Sequence, residues 1–228
     1  MSNQRLGQFT SSEVHKLIKK GKGNKPFSEA GETYIQAKRY EKKIGRSLNT
    51  ETNAKPISWG NYFEKYCFDN IGLEWQLVSK IRWTHQTLPW SGMPDVISKD
   101  GIGDIKSPYT LLSFCQQLEC FGDIEKYRQE VPEYYWQLVS NAILCDKNIA
   151  TAILFMPKLS DITIAKEDIV ANYDSYKNIS WFLYAEQNEI PYLPDECTIP
   201  NVNEWTFEVP EEDKLLLIDR IKLASELI

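Results

Sequence analysis

Between Leu73 and Ile105 the chain carries "WQLVSKIRWTH", "GMPDVI" and "GIGDIK", runs of β-branched and aromatic residues broken by Gly, Pro, Asp and Ser. That is the pattern of short antiparallel strands. Helical patterns lie on both sides of it. Upstream, Thr10-Ser11-Ser12-Glu13 matches a capping box ahead of Val14, Leu17 and Ile18, and further helices are predicted over Ala30 to Ile44 and Pro56 to Ile71. Downstream, helices are predicted over Tyr109 to Leu118 and Pro132 to Cys145, then strands at "IATAILFMP" and around Ile162 to Ile164. Helices over Lys166 to Gln187 and Glu211 to Leu227 follow, with a Pro-rich loop between them. Strands in the middle with helices before and after predict an α/β or α+β fold, a mixed central sheet flanked by helices. At 228 residues the chain suits a single domain. It divides into a basic helical segment over 1–55, a core over 56–165 and a C-terminal helical segment over 166–228.

The net charge of −6 is unevenly placed: residues 1–55 hold 12 Lys and Arg against 5 Asp and Glu, and residues 56–228 hold 14 against 27. A basic arm on an acidic body can offer a local positive field to phosphate; the same count also describes a solvated basic helix and loop. There is no long apolar run for a membrane span, and the polar start "MSNQRLGQFT" predicts a cytosolic protein. Cys67, Cys115, Cys120, Cys145 and Cys197 form no C-x-x-C pair, and His15 and His85 are the only histidines, a poor framework for zinc or iron–sulfur.

The chemistry concentrates in "SGMPDVISKDGIGDIKSP", Ser91 to Pro108. "KDG" predicts a turn between "DVIS" and "IGDIK", and strand alternation then puts Asp104 and Lys106 on one face and Ile105 on the other. Across that hairpin Asp95 comes near Asp104. Two carboxylates held together need a cation or a shared proton, and hard oxygen ligands favour Mg²⁺. Lys106 is then placed to hold an attacking water and help deprotonate it. In "ISWGNYFEKYCFDNIG", Ile57, Gly60, Glu64, Phe68 and Ile71 share one helical face, so Glu64 lies on an apolar stripe or at its solvated border. In "PEYYWQLVSNAIL", Gln137 and Asn141 lie i,i+4 on a face with Tyr134 and Leu138. These amides either orient a water or phosphate or form a hydrogen-bonded pair in the core.

The elements "RLGQFTSSEVHKLI", "WGNYFE", "MPDVI...GIGDIKSP" and "YYWQLVSNAIL", in this order from about Arg5 to Phe155, resemble the PD-(D/E)XK nuclease superfamily. Within it they resemble the lambda-type phage exonucleases, also called YqaJ-like viral recombinases. The resemblance implies that Asp95, Asp104 and the backbone carbonyl of Ile105 bind the catalytic metal, with Glu64 supporting a metal site. It implies that Lys106 positions the nucleophilic water and Gln137 acts near it. Arg5 and Ser12 match positions that hold a DNA 5′-phosphate, and Ser12 in the first turn of a capped helix suits an anion. Met93 stands where the family often has a small polar residue, Leu112 where it has a basic one, and Asn141 where many members carry an aromatic. Scattered cysteines set the chain apart from related nucleases that carry an iron–sulfur cluster.

The resemblance implies an Mg²⁺-dependent exodeoxyribonuclease, Mn²⁺ substituting, that resects duplex DNA ends 5′ to 3′ for strand-annealing recombination. It also implies a homotrimeric ring around DNA and a single-strand annealing protein as partner. The competing expectations are a restriction-like endonuclease and a DNA-end-binding recombination scaffold without turnover.

Overall fold

Seven consecutive residues, Ile149–Phe155, six of them buried, form the strand around which the rest is arranged. In the computed structural model, residues 6–23, 25–48, 54–69, 71–72, 74–78 and 80–228 are described. In chain order the elements are β1 (Phe9–Thr10), α1 (His15–Ile18), α2 (Glu29–Ile44), α3 (Lys55–Phe68), β2 (Gln76–Leu77), β3 (Trp83–Thr84), β4 (Trp90–Gly92), β5 (Val96–Ile97) and β6 (Gly101–Lys106). There follow α4 (Leu111–Leu118), α5 (Ile124–Glu130), α6 (Pro132–Leu144), β7 (Ile149–Phe155), α7 (Leu159–Ala171), two 3₁₀ segments (Lys177–Tyr184 and Gln187–Glu189), β8 (Val202–Glu208) and α8 (Glu211–Ser225).

The main sheet has the order β2-β5-β6-β7-β8 and a smaller one the order β1-β4-β3. β5 and β6 form the expected antiparallel hairpin, whereas β6 and β7 are parallel, Asp104 opposite Ala152. A parallel pair needs a crossover, and α4, α5 and α6 make it. The sheet is mixed and covered on both faces. Ile102, Ala150 and Ala152 pack towards α6 with Leu138 and Val139. Ile105, Ile153 and Phe155 pack towards α3 with Trp59 and Phe63. Period-two alternation on β6 and β7 thus feeds two separate cores.

Several expectations are corrected. "WQLVSKIRWTH" is divided between the two sheets as β2 and β3, because Ile81 N–H turns back onto the Val78 carbonyl at 2.7 Å. No strand forms at Ile162 to Ile164. Asp161 accepts from the Lys158 N–H at 2.8 Å and starts α7, whose Ile162, Ala165 and Ile169 are buried at helical spacing. The helix expected over Lys166 to Gln187 ends at Ala171 and gives way to 3₁₀ turns. The segment 166–228 is not helical alone, since its β8, read as loop, pairs along the whole of β7.

The helix Ala30 to Ile44 is found as α2, capped by Ser28, which accepts from Gly31 N–H at 3.4 Å. Within it Lys38 is buried against Glu41 at 3.0 Å, while Arg39, Lys42 and Lys43 face solvent. No helix among the described residues is long and apolar enough to cross a membrane.

α8 is tied to the crossover by Asp213, only 1% exposed, which accepts from Arg128 at 2.8 and 3.1 Å and from the Tyr135 hydroxyl. Removing the cation leaves a buried carboxylate without its charge partner. Arg128→Ala is expected to lower stability by about 2–3 kcal/mol, read as a lower urea midpoint at unchanged slope.

Candidate active site

The hairpin stops pairing at Asp95, and its side chain takes over where the ladder ends. The Asp95 N–H donates to the Gly103 carbonyl at 3.2 Å, its own carbonyl accepts from Val78 N–H at 2.8 Å, and its carboxylate accepts from Ile105 N–H at 2.7 Å. N–H and C=O of one strand residue point to the same side, so the Ile105 carbonyl is turned towards the edge where Asp95 lies. Gly103, between the two aspartates, has no room for a side chain: a Cβ there would lie 2.7 Å from Val96 Cγ2 and 3.1 Å from Ile153 Cδ1.

Asp104 is 2% exposed in the middle of β6. Its Oδ1 accepts from Gln137 Nε2 at 2.9 Å, and its Oδ2 forms an ion pair with Lys106 Nζ. Lys106 Nζ also lies 5.1 Å from the centroid of the Tyr134 ring, a cation–π contact. Asp104 and Lys106 come from one face of β6, and Tyr134 and Gln137 from one face of α6, spaced i,i+3. Gln137 is therefore a partner of the buried aspartate. The amide pair with Asn141 does not form; Asn141 is wholly buried against Gly92, and neither of its amide atoms is hydrogen-bonded among the described residues.

The electrostatics follow from burial and like charge. Burial, then Asp104, then Glu64 push the Asp95 carboxyl well above the usual range, against Lys106 and the Ile105 N–H, which pull it down. For Lys106, burial acts to lower the pKa, but Asp104 and Asp95 outweigh it and the net shift is upward. Glu64 acts on this centre from α3 at partial exposure. The buried stripe of α3 is Trp59, Tyr62, Phe63 and Cys67, while Ile57 is 48% exposed, so Glu64 sits at the border of the buried face.

Among the described residues no group of three or more His, Cys, Asp or Glu is arranged to hold a metal ion. Two carboxylates with raised mutual repulsion and an adjacent carbonyl nevertheless fit Mg²⁺, which takes one or two protein carboxylates and completes its shell with water and phosphate oxygens.

The N-terminal expectations fare differently. Arg5 lies outside the described residues. Ser12 is exposed in a turn ahead of α1, its hydroxyl 3.4 Å from that of Thr10. The expected capping box is absent: Phe9 and Thr10 are used as β1 beside β4, Glu13 pairs with Lys16 at 2.7 Å, and α1 is a single turn with no side-chain cap. Ser12 therefore lies ahead of that helix and not in its first turn. Ser11 is the buried neighbour, its hydroxyl 2.7 Å from Ser140, which also accepts from Trp90 Nε1 at 2.9 Å. Sequence reasoning missed Tyr134 and Ser140 as parts of the centre's support, although both share α6 with Gln137.

No family model and no curated protein matches the chain. Solved structures do. The alkaline exonuclease LHK-Exo from Laribacter hongkongensis superposes with a TM-score of 0.64 at 12% identity, covering 98% of this chain and 89% of that one. A phage-related exonuclease from Haemophilus somnus 129PT superposes with a TM-score of 0.65 at 17% identity, covering 96% and 92%. The chain has their fold. It consists of a mixed sheet with flanking helices.

One consequence is open to measurement without substrate. A raised carboxyl pKa means that folding disfavours ionised Asp95, a penalty absent below the unfolded value of about 3.9 and complete above the raised one. In EDTA, Asp95→Asn is expected to be more stable than the wild type at pH 7. Its advantage should shrink as pH falls and vanish near pH 3, as followed by denaturant unfolding. Equal stability at pH 7 would contradict the repulsion.

Proposed function

We propose that the chain is an Mg²⁺-dependent exodeoxyribonuclease that degrades one strand of duplex DNA from a 5′ end, leaving a 3′ single-stranded tail for recombination by strand annealing. The observation that carries the reading is the double hold on Asp104, by Lys106 from its own strand and by Gln137 from α6, beside Asp95. Structural cores seldom bury a carboxylate next to a second one whose ionisation it disfavours; functional sites do. The superposed exonucleases support the reaction class. LHK-Exo also forms a complex with dAMP, a nucleoside monophosphate of the kind that exonucleolytic cleavage releases.

In this reading Asp95, Asp104 and the Ile105 carbonyl would hold Mg²⁺, Glu64 would support the site, and Mn²⁺ would substitute. Bound there, such an ion polarises a phosphoryl oxygen and makes its water a stronger nucleophile. The chain's own side chains do the positioning. Lys106 donates to the attacking water and to phosphate, held in place by Asp104 and the Tyr134 ring. Gln137 fixes the plane of the Asp104 carboxylate, so that its oxygens are presented in one orientation. The reading includes a homotrimeric ring around DNA, with the basic segment 1–55 turned to the substrate, and a single-strand annealing protein as partner.

The test is digestion of linear duplex labelled at its 5′ or its 3′ end, with Mg²⁺, Mn²⁺ or EDTA, beside a covalently closed circle. Early release of the 5′ label, an intact circle and silence in EDTA are expected. A cut circle points to an endonuclease, and no cleavage with either metal to a scaffold without turnover. Lys106→Ala and Asp104→Ala are expected to lose roughly a hundredfold or more in rate while remaining folded. Gln137→Ala should lose about ten- to a hundredfold. Wild-type rates in either of the first two variants would refute the assignment.

A further inference from the structure

Between Val14 and Ser28 the chain carries five lysines and no acid, and the carboxylate centre uses none of them. Beside that run lies a cavity of about 580 Å³, within the size range of ligand pockets. Its walls are largely apolar: Ile18 from α1, Pro132 and Trp136 from α6, and Leu216 from α8. Leu216 is 39% exposed, a large apolar side chain left uncovered there. On α6, Pro132 and Trp136 share one face and Tyr134 and Gln137 another, so the cavity lies on the side of the helix turned away from Asp104. It is not a continuation of the candidate active site.

Lys16, Lys19 and Arg128 also line the cavity. Lys16 pairs with Glu13 at 2.7 Å and Arg128 with Asp213 at 2.8 Å, but Lys19, Lys20 and Lys22 are exposed and make no ion pair among the described residues. An apolar hollow beside unanswered lysines complements a ligand that carries an apolar group flanked by carboxylates. A nucleobase suits it less, since bases stack on open aromatic faces and Trp136 is only 3% exposed, edge-on to Tyr135 at 5.3 Å.

We propose that this cavity receives a large apolar side chain from an acidic segment of a partner protein, whose carboxylates meet Lys19, Lys20 and Lys22. The apolar side chain supplies the larger part of the affinity, because lysine–carboxylate pairs at an exposed mouth are weakened by water and salt. The charges select the partner and speed its arrival. The surface is distinct from the carboxylate centre, and the inference holds whether or not the chain cleaves DNA.

Phage-displayed random peptides are selected on the full chain, and the enriched sequences are made as fluorescein-labelled peptides and titrated by anisotropy. The expected sequences carry a large apolar residue beside several Asp or Glu. Their affinity should fall about tenfold or more in Leu216→Asp and about threefold in Lys19→Glu, and their binding to the wild type should weaken as salt rises. If Leu216→Asp fails to fold, Leu216→Ser decides in its place. No enrichment, enriched sequences without acids, or peptides whose affinity ignores both substitutions overturn the proposal. A fluorescent decathymidylate that binds more tightly than the peptides and loses about tenfold in Leu216→Asp overturns it in favour of a nucleic acid. Leu216→Asp should cleave linear duplex at the wild-type rate, so that loss of this site is told apart from failure of the nuclease reading.

Discussion

A carboxylate with 2% exposure in the middle of a sheet is tolerated only if something answers its charge and its lone pairs, and Asp104 is that carboxylate. Its two answers come from different places. Lys106 is two residues along the same strand and reaches it because strand side chains repeat every second residue. Gln137 comes from α6, which lies on that face only because β6 and β7 are parallel and the crossover between them must cover the sheet. The connectivity of the fold and the hold on one aspartate are therefore a single arrangement. Asp95 completes it from the neighbouring strand, replacing a backbone acceptor for Ile105 with its own carboxylate.

What was legible in the residues is what depends on short-range rules. "DVISKDGIGDIK" reads as a hairpin, with Asp104 and Lys106 on one side and Ile105 on the other, because turn residues and alternation act within a dozen positions. The helix start at Pro132 was equally local. Elements whose identity depends on distant partners were missed. Thr10 to Glu13 has the composition of a capping box, yet pairing with Trp90 and Ser91, some eighty residues on, converts its first residue to strand. β8 escaped notice among four prolines although "VNEWTFE" alternates; its partner β7 supplies what the local pattern lacked. Ile162 and Ile164 suggested a strand through their branching, but the Asp161 cap and the buried face of α7 outweighed β propensity.

Gln137 shows the limit most plainly. Spacing alone left open a core pair with Asn141 or the orienting of a water or phosphate, and the resemblance assigned it to the neighbourhood of the nucleophile. Its amide is found on Asp104, and nothing within α6 could have announced that, since the acceptor lies 33 residues upstream. Likewise the stripe containing Glu64 looked apolar by count, but the aromatic residues Trp59, Tyr62 and Phe63 offer more area and turn the helix towards themselves. Glu64 is left at the border, where it can act on Asp95 without being sealed away.

The support of the centre extends to the amino-terminal segment. Ser140 lies one turn after Gln137 on α6 and is the meeting point of Ser11 from the β1 side and Trp90 from β4. Gly92, next to Trp90 and Ser91, allows β4 to approach so closely that any Cβ there would collide with Ser11 and Asn141. The start of the chain, the strand leading to Asp95 and the helix bearing Gln137 thus share one buried contact. Charge is divided along the same line: Lys38 is neutralised internally by Glu41, whereas Arg39, Lys42 and Lys43 remain on the surface of the segment that this contact anchors. The small sheet β1-β4-β3 joins the amino-terminal segment to the centre, since its strand β4 continues through Met93 and Pro94 to Asp95.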